Sequence, residues 1–127
     1  MKKRLHYLTV FMVTAILTGC ATKPENIPPS YISHVSYMNW ECSQLGEEQS
    51  RLVSALSSAS DAQRQARSND TAGVILLGLP VSSLSGANQA SHIGRLKGEL
   101  EALQKAMILK NCSGELIPVE EVIKKKK

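Results

Sequence analysis

The sequence predicts an all-α fold, namely an antiparallel two-helix hairpin with an apolar Gly/Pro/Ser-rich turn, preceded by a Pro-rich tether. Three observations predict it. Apolar residues recur at helical spacing in two separate stretches, and a charge-free segment rich in turn residues lies between them. Cys42 lies near the start of the first stretch, and Cys112 directly follows the second. Aromatic residues make up only 4% of the chain, which favours thin helical packing over a large globular core.

The N-terminus has the composition of a secretory signal. Lys2, Lys3 and Arg4 form a positive region, and an apolar run follows at residues 7–17. A run of this length is too short to cross a bilayer core, which needs about 20 residues. We therefore interpret residues 1–19 as a signal peptide rather than a membrane-spanning helix.

The end of this run, Leu17-Thr18-Gly19-Cys20, resembles the lipobox of bacterial lipoproteins. The resemblance implies cleavage between Gly19 and Cys20, a diacylglycerol on the Cys20 sulfur and an acyl chain on the new amine, with no other cofactor. Two or three such chains anchor a protein firmly, whereas one is marginal. The residue after the cysteine is Ala21 rather than aspartate, which by resemblance to enterobacterial sorting implies the outer membrane, on its periplasmic side. The expected partner is thus the membrane, through the lipid anchor.

The net charge argues against nucleic-acid binding. The net charge of +4 depends largely on the three basic residues of the signal, whose removal leaves 12 basic against 11 acidic residues. Four of those 12 are the C-terminal Lys124 to Lys127, so the body of the protein is mildly acidic and lacks the basic surface that nucleic acids require.

Residues 20–36 are predicted to be a lipidated cysteine and a flexible tether, because Pro24, Pro28 and Pro29 disfavour a helix. The hairpin is expected at residues 37–112, and a C-terminal tail with a short helix or strand at 113–127. The first helix is predicted at 37–68, with Ser36 or Asn39 as its N-cap. Its residues alternate at spacings of four and three, with two polar interruptions: Met38, Cys42, Leu45, Gln49, Leu52, Leu56, Ala59, Gln63 and Ala66.

The second helix is predicted at 88–111 and carries two patterns. Its apolar face is formed by Ile93, Leu96, Leu100, Leu103 and Met107. A ladder of small residues also repeats every four positions: Gly86, Ala90, Gly94, Gly98, Ala102 and Ala106. Small residues at this spacing let helices approach closely, so Gly94 and Gly98 are candidates for contact with an envelope protein or a second copy of the chain. The alternative is a chance pattern.

The charge-free segment, residues 71–91, allows two interpretations. It contains a run of strongly apolar residues at 72–81 together with glycine, proline and serine. One interpretation is a buried turn that caps the helical pair. The other is an exposed apolar tip, with Leu77 and Leu79 as interaction residues that dip into a membrane or dock on a partner, because exposed apolar runs are uncommon without such a use.

Cys42 and Cys112 are predicted to form a disulfide. In an oxidising periplasm, two thiols that remain after lipidation of Cys20 are natural partners. The two helices have matched lengths measured from these cysteines, so folding the chain back brings the two level. Metal binding by the cysteines with His34 and His92 lacks the close ligand spacing of a metal site, and no metal is expected.

No catalytic residues are predicted. The chain has no Gly-x-Ser-x-Gly elbow and no phosphate-binding glycine loop with lysine, so we expect a non-catalytic interaction or structural module and not an enzyme. Residues 37–56 and 72–103 also resemble small proteobacterial lipoproteins of uncharacterised function, which implies no activity.

Two other functions stay open. Cys20 and Lys127 resemble the termini of Braun's lipoprotein, which joins the outer membrane to peptidoglycan through a C-terminal lysine, although the continuous heptad rod of that family is absent. The third option is a small lipoprotein that perturbs membranes through residues 72–81.

Overall fold

The computed structural model describes residues 21–79 and 81–124, and every regular element within them is helical. Two short 3-10 helices, Pro24–Asn26 and His34–Tyr37, precede four α-helices. These are α1 (Cys42–Leu77), α2 (Val81–Leu84), α3 (Ala90–Leu109) and α4 (Val119–Lys124). The all-α prediction is confirmed, and the two long helices, α1 and α3, pack against each other.

Helix α1 begins later than predicted and is capped by a different residue. Its N-cap is Glu41, whose backbone N–H donates to the Gln44 side chain at 2.8 Å. This capping-box arrangement satisfies a backbone N–H group at the start of the helix that has no partner within the helix. Ser36 and Asn39 lie outside the helix, because the chain first forms the 3-10 helix His34–Tyr37.

Helix α1 also ends later than predicted, at Leu77 instead of residue 68. Its C-cap is Gly78, with φ of 72°, and the Gly78 N–H donates to the Val74 carbonyl at 3.1 Å. A left-handed cap of this kind favours glycine because no Cβ opposes it. The apolar run that we assigned to a turn is therefore mostly the last two turns of a helix.

The predicted apolar faces of both helices form the core. The buried residues of α1 include Leu45, Leu52 and Leu56, and those of α3 include Ile93, Leu100 and Leu103. Tyr37 and α4 complete the cluster, the latter through Val119, Val122 and Ile123. Because burial of one such side chain contributes about 1.5–3 kcal/mol, these faces hold the two helices together.

The lengths of α1 and α3 differ more than the sequence suggested. Helix α1 has 36 residues and α3 has 20, or about 54 Å and about 30 Å at 1.5 Å per residue. The Gln63 side chain meets Asn88 and Gln89, just before α3 begins. The part of α1 beyond Gln63 therefore has no α3 beside it, and other segments of the chain pack there.

The segment 21–41, whose first part to residue 36 falls in the predicted flexible tether (20–36), lies against the helices. Pro24 and Ile27 are buried, and the Ser30 N–H donates to the Gly94 carbonyl at 2.8 Å. The prolines do exclude an α-helix, as expected. The segment is nevertheless packed against the helices. Its apolar side chains join the core, and side chains of α1 and α3 donate hydrogen bonds to its backbone carbonyls.

Candidate functional site

The predicted lipidation and cleavage residues, Cys20 and Gly19, lie outside the described residues. Ala21, the next residue, is described and is built into the helical body. It is 2% exposed, and its backbone N–H donates to Asp70 Oδ2 at 3.2 Å. The chain that follows Cys20 is thus fixed at once to the far half of α1.

Asp70 is the centre of this attachment. Its side chain is fully buried, and Oδ1 accepts a hydrogen bond from the Ser82 N–H at 2.6 Å. A buried carboxylate is tolerated when such donors satisfy it. Through one side chain, Asp70 joins the start of segment 21–41 to the chain that folds back after α1. Gly73 permits this return, because a Cβ there would lie 2.6 Å from Val81 Cγ2.

Two further polar side chains grip the same segment. Gln63 donates from Nε2 to the Thr22 carbonyl at 2.9 Å. Lys97, only 4% exposed, donates from Nζ to the carbonyls of Pro24 and Ile27 at 2.8 and 2.6 Å. Burial lowers the pKa of Lys97, and neighbouring glutamates offset part of that effect. The buried Lys97 ammonium is hydrogen-bonded to backbone carbonyls in place of water. These hydrogen bonds fix the path of residues 24–27.

Arg64 links both ends of the described chain. Its guanidinium lies 2.8 Å from Glu25 Oε1, 3.3 Å from Asp61 Oδ1 and 2.5 Å from the Ile123 carbonyl. Burial alone would raise the pKa of Glu25, but the hydrogen bond and charge of Arg64 outweigh it and lower that pKa. The C-terminal helix α4 is consequently held beside the residues that follow Cys20.

The predicted interaction residues Leu77 and Leu79 lie at the exposed end of α1. We call Ile75, Leu76, Leu77 and Leu79 the apolar tip, and their exposed fractions are 77%, 80%, 71% and 55%. A buried turn would cover these side chains, whereas the structure leaves them exposed. Their contact with a membrane or a partner stays a prediction. Three consecutive exposed residues span about 200° of a helix, so the last turn of α1 is open on most sides.

A groove of about 840 Å³ lies behind the apolar tip. Its walls come from segment 21–41 and α1, and its charged lining residues are Lys23, Glu25, Arg64 and Arg67, with Ile75 of the apolar tip beside them. No ion pair of the described residues includes Lys23 or Arg67. The groove therefore contains these two cationic side chains, one from the chain that follows Cys20 and one from α1, and Ile75 of the apolar tip also lines it.

Gly94 and Gly98, the other predicted interaction residues, take part in a close approach within the chain. A Cβ on Gly94 would lie 3.1 Å from the Pro28 carbonyl oxygen, and one on Gly98 would overlap the Ser30 carbonyl. The spacing of small residues correctly predicted close backbone contact. The contacting backbone, however, is segment 21–41 and not a second protein, so this face of α3 is already covered.

The predicted disulfide joins Cys42 and Cys112, with the two Cα atoms 5.4 Å apart. It connects the first residue of α1 to the chain just after α3. The apolar tip lies at the other end of α1, about 50 Å away along the helix axis.

Sequence reasoning missed Asp70, Lys97 and Arg64 as organising residues. Gln49 and Gln63 did carry a signal, since they were polar interruptions in an otherwise apolar pattern. Gln49 donates to the Glu115 carbonyl at 2.8 Å, so each interruption holds a flanking segment. Lys97 carried no comparable signal, because its partners lie in the part of segment 21–41 that was predicted to be a flexible tether.

No protein-family model, curated protein or solved structure matches this chain. Among the residues that the structure describes, no helix combines the length and apolar character needed to cross a membrane. The candidate site consequently stands on the contacts described above.

Proposed function

We propose that this chain is a lipid-anchored lipoprotein of the bacterial outer membrane that acts without catalysis, as a structural or protein-interaction module. The observation that carries the proposal is the position of Ala21. A signal peptide cut before Cys20 would leave Ala21 as the second residue of the mature chain, and Ala21 is buried and bound to Asp70. Ala21 thus belongs to the packed body of the protein, although it directly follows the position at which the lipobox resemblance ends the signal.

The module is, in our proposal, an antiparallel helical hairpin. Two contacts support this arrangement. The disulfide joins the start of α1 to the end of α3, while Gln63, further along α1, meets Asn88 and Gln89 before α3 begins. The chain between them, which includes the apolar tip and α2, forms the connecting end.

The proposed anchor is tested by acylation of the intact protein in its native host. Mass spectrometry of the N-terminal peptide is expected to find Cys20 as the first residue with a diacylglycerol and an N-acyl chain. Cys20→Ser should abolish acylation and leave the signal uncut, while Cys42→Ser, as the matched control, should still be acylated and cut. An unmodified Cys20 in the wild-type protein would refute the proposal.

Attachment to peptidoglycan through Lys127 is a second candidate, but the position of α4 makes it less favourable. The Ile123 carbonyl and Glu25 share Arg64, so the last described residue, Lys124, lies near the anchored end. The lysine tail therefore begins close to the proposed membrane side, and the three residues after Lys124 span at most about 11 Å. Sacculi boiled in detergent should retain none of this protein, and its covalent retention would favour the wall linkage.

A further inference from the structure

The apolar tip and the adjacent cationic groove form one continuous surface. The side chains of the apolar tip are largely exposed to solvent. Ile75, Leu76 and Leu77 are each more than two-thirds exposed at the end of a 36-residue helix. The whole stretch 71–91 carries no charged residue. Exposed apolar surface of this kind marks a site of contact with a protein or a membrane.

The tip lies close to the residue that follows the proposed lipid anchor. Asp70 holds the Ala21 N–H and the Ser82 N–H within 3.2 Å of its two oxygens. Cys20 is one residue from Ala21, and adjacent Cα atoms are about 3.8 Å apart. From Asp70 to Leu77 the helix rises about 10 Å, which is comparable to the depth of about 5–10 Å at which interfacial helices bury their apolar faces.

The charges around the tip suit a phospholipid surface. Lys23 and Arg67 line the groove without an ion-pair partner among the described residues, and Ile75 lies beside them. Glu25 and Asp61 share Arg64 as an ion-pair partner, and Asp70 is buried. Glu120 and Glu121 of α4 are exposed, but Lys124 follows them and the sequence continues with three lysines.

We propose that the apolar tip is a second membrane contact, which enters the headgroup–acyl boundary of the bilayer that holds Cys20, with Lys23 and Arg67 at the level of the lipid phosphates. The inference rests on the proposed lipid anchor. In this orientation the C-terminal end of α1 faces the membrane, and the end that carries the disulfide projects away from it. Acyl chains fix the distance of Ala21 from the bilayer, and the tip fixes the orientation.

A tryptophan placed at the tip tests this orientation in the intact lipidated protein. The chain has one tryptophan, Trp40, close to the disulfide end. In a Trp40→Phe background, Leu77→Trp reports on the tip and Leu109→Trp is the matched control, since Leu109 is also exposed, at 53%, but lies near Cys112. Both variants are reconstituted in vesicles of phosphatidylethanolamine and phosphatidylglycerol, with and without brominated acyl chains.

The expected result is blue-shifted emission from the Leu77→Trp variant and bromine quenching several-fold stronger than in the control. Equal, weak quenching in both variants would overturn the tip contact. Blue-shifted emission without bromine quenching would also overturn it, because the tip would then be covered by protein, such as a second copy of the chain.

Flotation of the same vesicles separates failure of the tip from failure of the anchor. If the protein floats and Cys20 carries lipid while the Leu77→Trp variant is unquenched, only the tip contact fails. If Cys20 carries no lipid and the protein stays with the soluble fraction, both proposals fail.

The cationic groove is tested by a change in lipid charge. Quenching of the Leu77→Trp variant is expected to fall when phosphatidylglycerol is omitted, because the attraction of Lys23 and Arg67 to anionic lipid is lost. Adding Arg67→Gln should shrink this dependence on lipid charge, whereas Lys105→Gln, on α3, should leave it intact. An equal dependence in both variants would overturn the placement of the groove at the phosphates.

Discussion

The side chain of Asp70 accepts a hydrogen bond from the backbone N–H of Ala21, a residue 49 positions earlier in the chain. This contact joins the start of the described chain to the C-terminal part of α1, beyond Gln63, that has no α3 beside it. It explains why the proline-rich segment is packed rather than free. It also places the proposed lipid anchor beside the helix end that carries the apolar tip.

Replacing Asp70 is expected to destabilise the protein. Asp70→Ala leaves the buried N–H groups of Ala21 and Ser82 without this acceptor, at a cost of about 1–3 kcal/mol each for an unsatisfied group. Thermal unfolding followed by circular dichroism measures the loss. Asp61→Ala is the control, because its ion pair with Arg64 is partly exposed and should contribute less than about 1 kcal/mol. Equal effects of the two substitutions would contradict the role of Asp70.

Two glycine-to-alanine substitutions should have opposite effects. Gly98→Ala gains about 1 kcal/mol in helix propensity, but its Cβ overlaps the Ser30 carbonyl and lies 2.9 Å from the Ser30 carbonyl carbon. Overpacking of this kind typically costs about 1–3 kcal/mol, and the neighbour here is backbone. We therefore expect net destabilisation in denaturant unfolding.

Gly46→Ala is the matched control, since a Cβ on this residue of α1 would meet nothing within 4 Å. It is expected to stabilise the protein by up to about 1 kcal/mol. Stabilisation by both substitutions would mean that residues 28–32 do not lie against α3.

Loss of the disulfide should have a large effect because it closes a long loop. Cys42 and Cys112 are 70 residues apart in sequence, and the chain-entropy model gives about 4 kcal/mol for a loop of this length. Reduction should lower the melting temperature of the wild-type protein but leave that of the Cys42→Ser/Cys112→Ser variant unchanged. The same melting temperature for oxidised and reduced wild-type protein would contradict this prediction.

Acid should weaken the attachment of residues 21–27 through Glu25. Its pKa is lower in the folded protein than its ordinary value of 4.5, so its contribution is complete above pH 4.5 and is lost as the pH falls through the folded pKa. Because Glu25 is partly exposed, the effect should stay below about 1 kcal/mol. Hydrogen exchange of residues 21–27 across this pH range measures it.

Glu25→Gln is the control for this prediction. It should make exchange in residues 21–27 faster at neutral pH and remove the part of the acid dependence that Glu25 supplies. If the variant keeps the acid dependence of the wild-type protein, another group is responsible.

The helices were predictable because the buried residues of an amphipathic helix recur about every 3.6 positions in the sequence. Leu52 and Leu100 are buried where this spacing places them. The end of α1 was not predictable in the same way. The glycine, proline and serine residues of this stretch, including Gly73, predicted a turn. In the structure, however, Gly73 allows the close approach of Val81, and the helix continues to its C-cap at Gly78.

The candidate site was predictable only in part. Exposure of Leu77 and Leu79 was one of two interpretations, and sequence alone offered no way to choose between them. The contacts of Asp70 with Ala21 and of Lys97 with Pro24 were not predictable, because they join groups 49 and 73 residues apart in sequence.

The two helices, their apolar faces and the pairing of Cys42 with Cys112 could be predicted from the sequence, since they depend on local spacing and on a small number of thiols. The path of segment 21–41 depends instead on contacts between distant parts of the chain. Its prolines set a non-helical backbone, but the buried carboxylate of Asp70, the ammonium of Lys97 and the missing Cβ of Gly98 decide where it lies. Those groups act only after the helices have packed, because hydrogen bonds and steric fit across 49 to 73 residues require the folded chain.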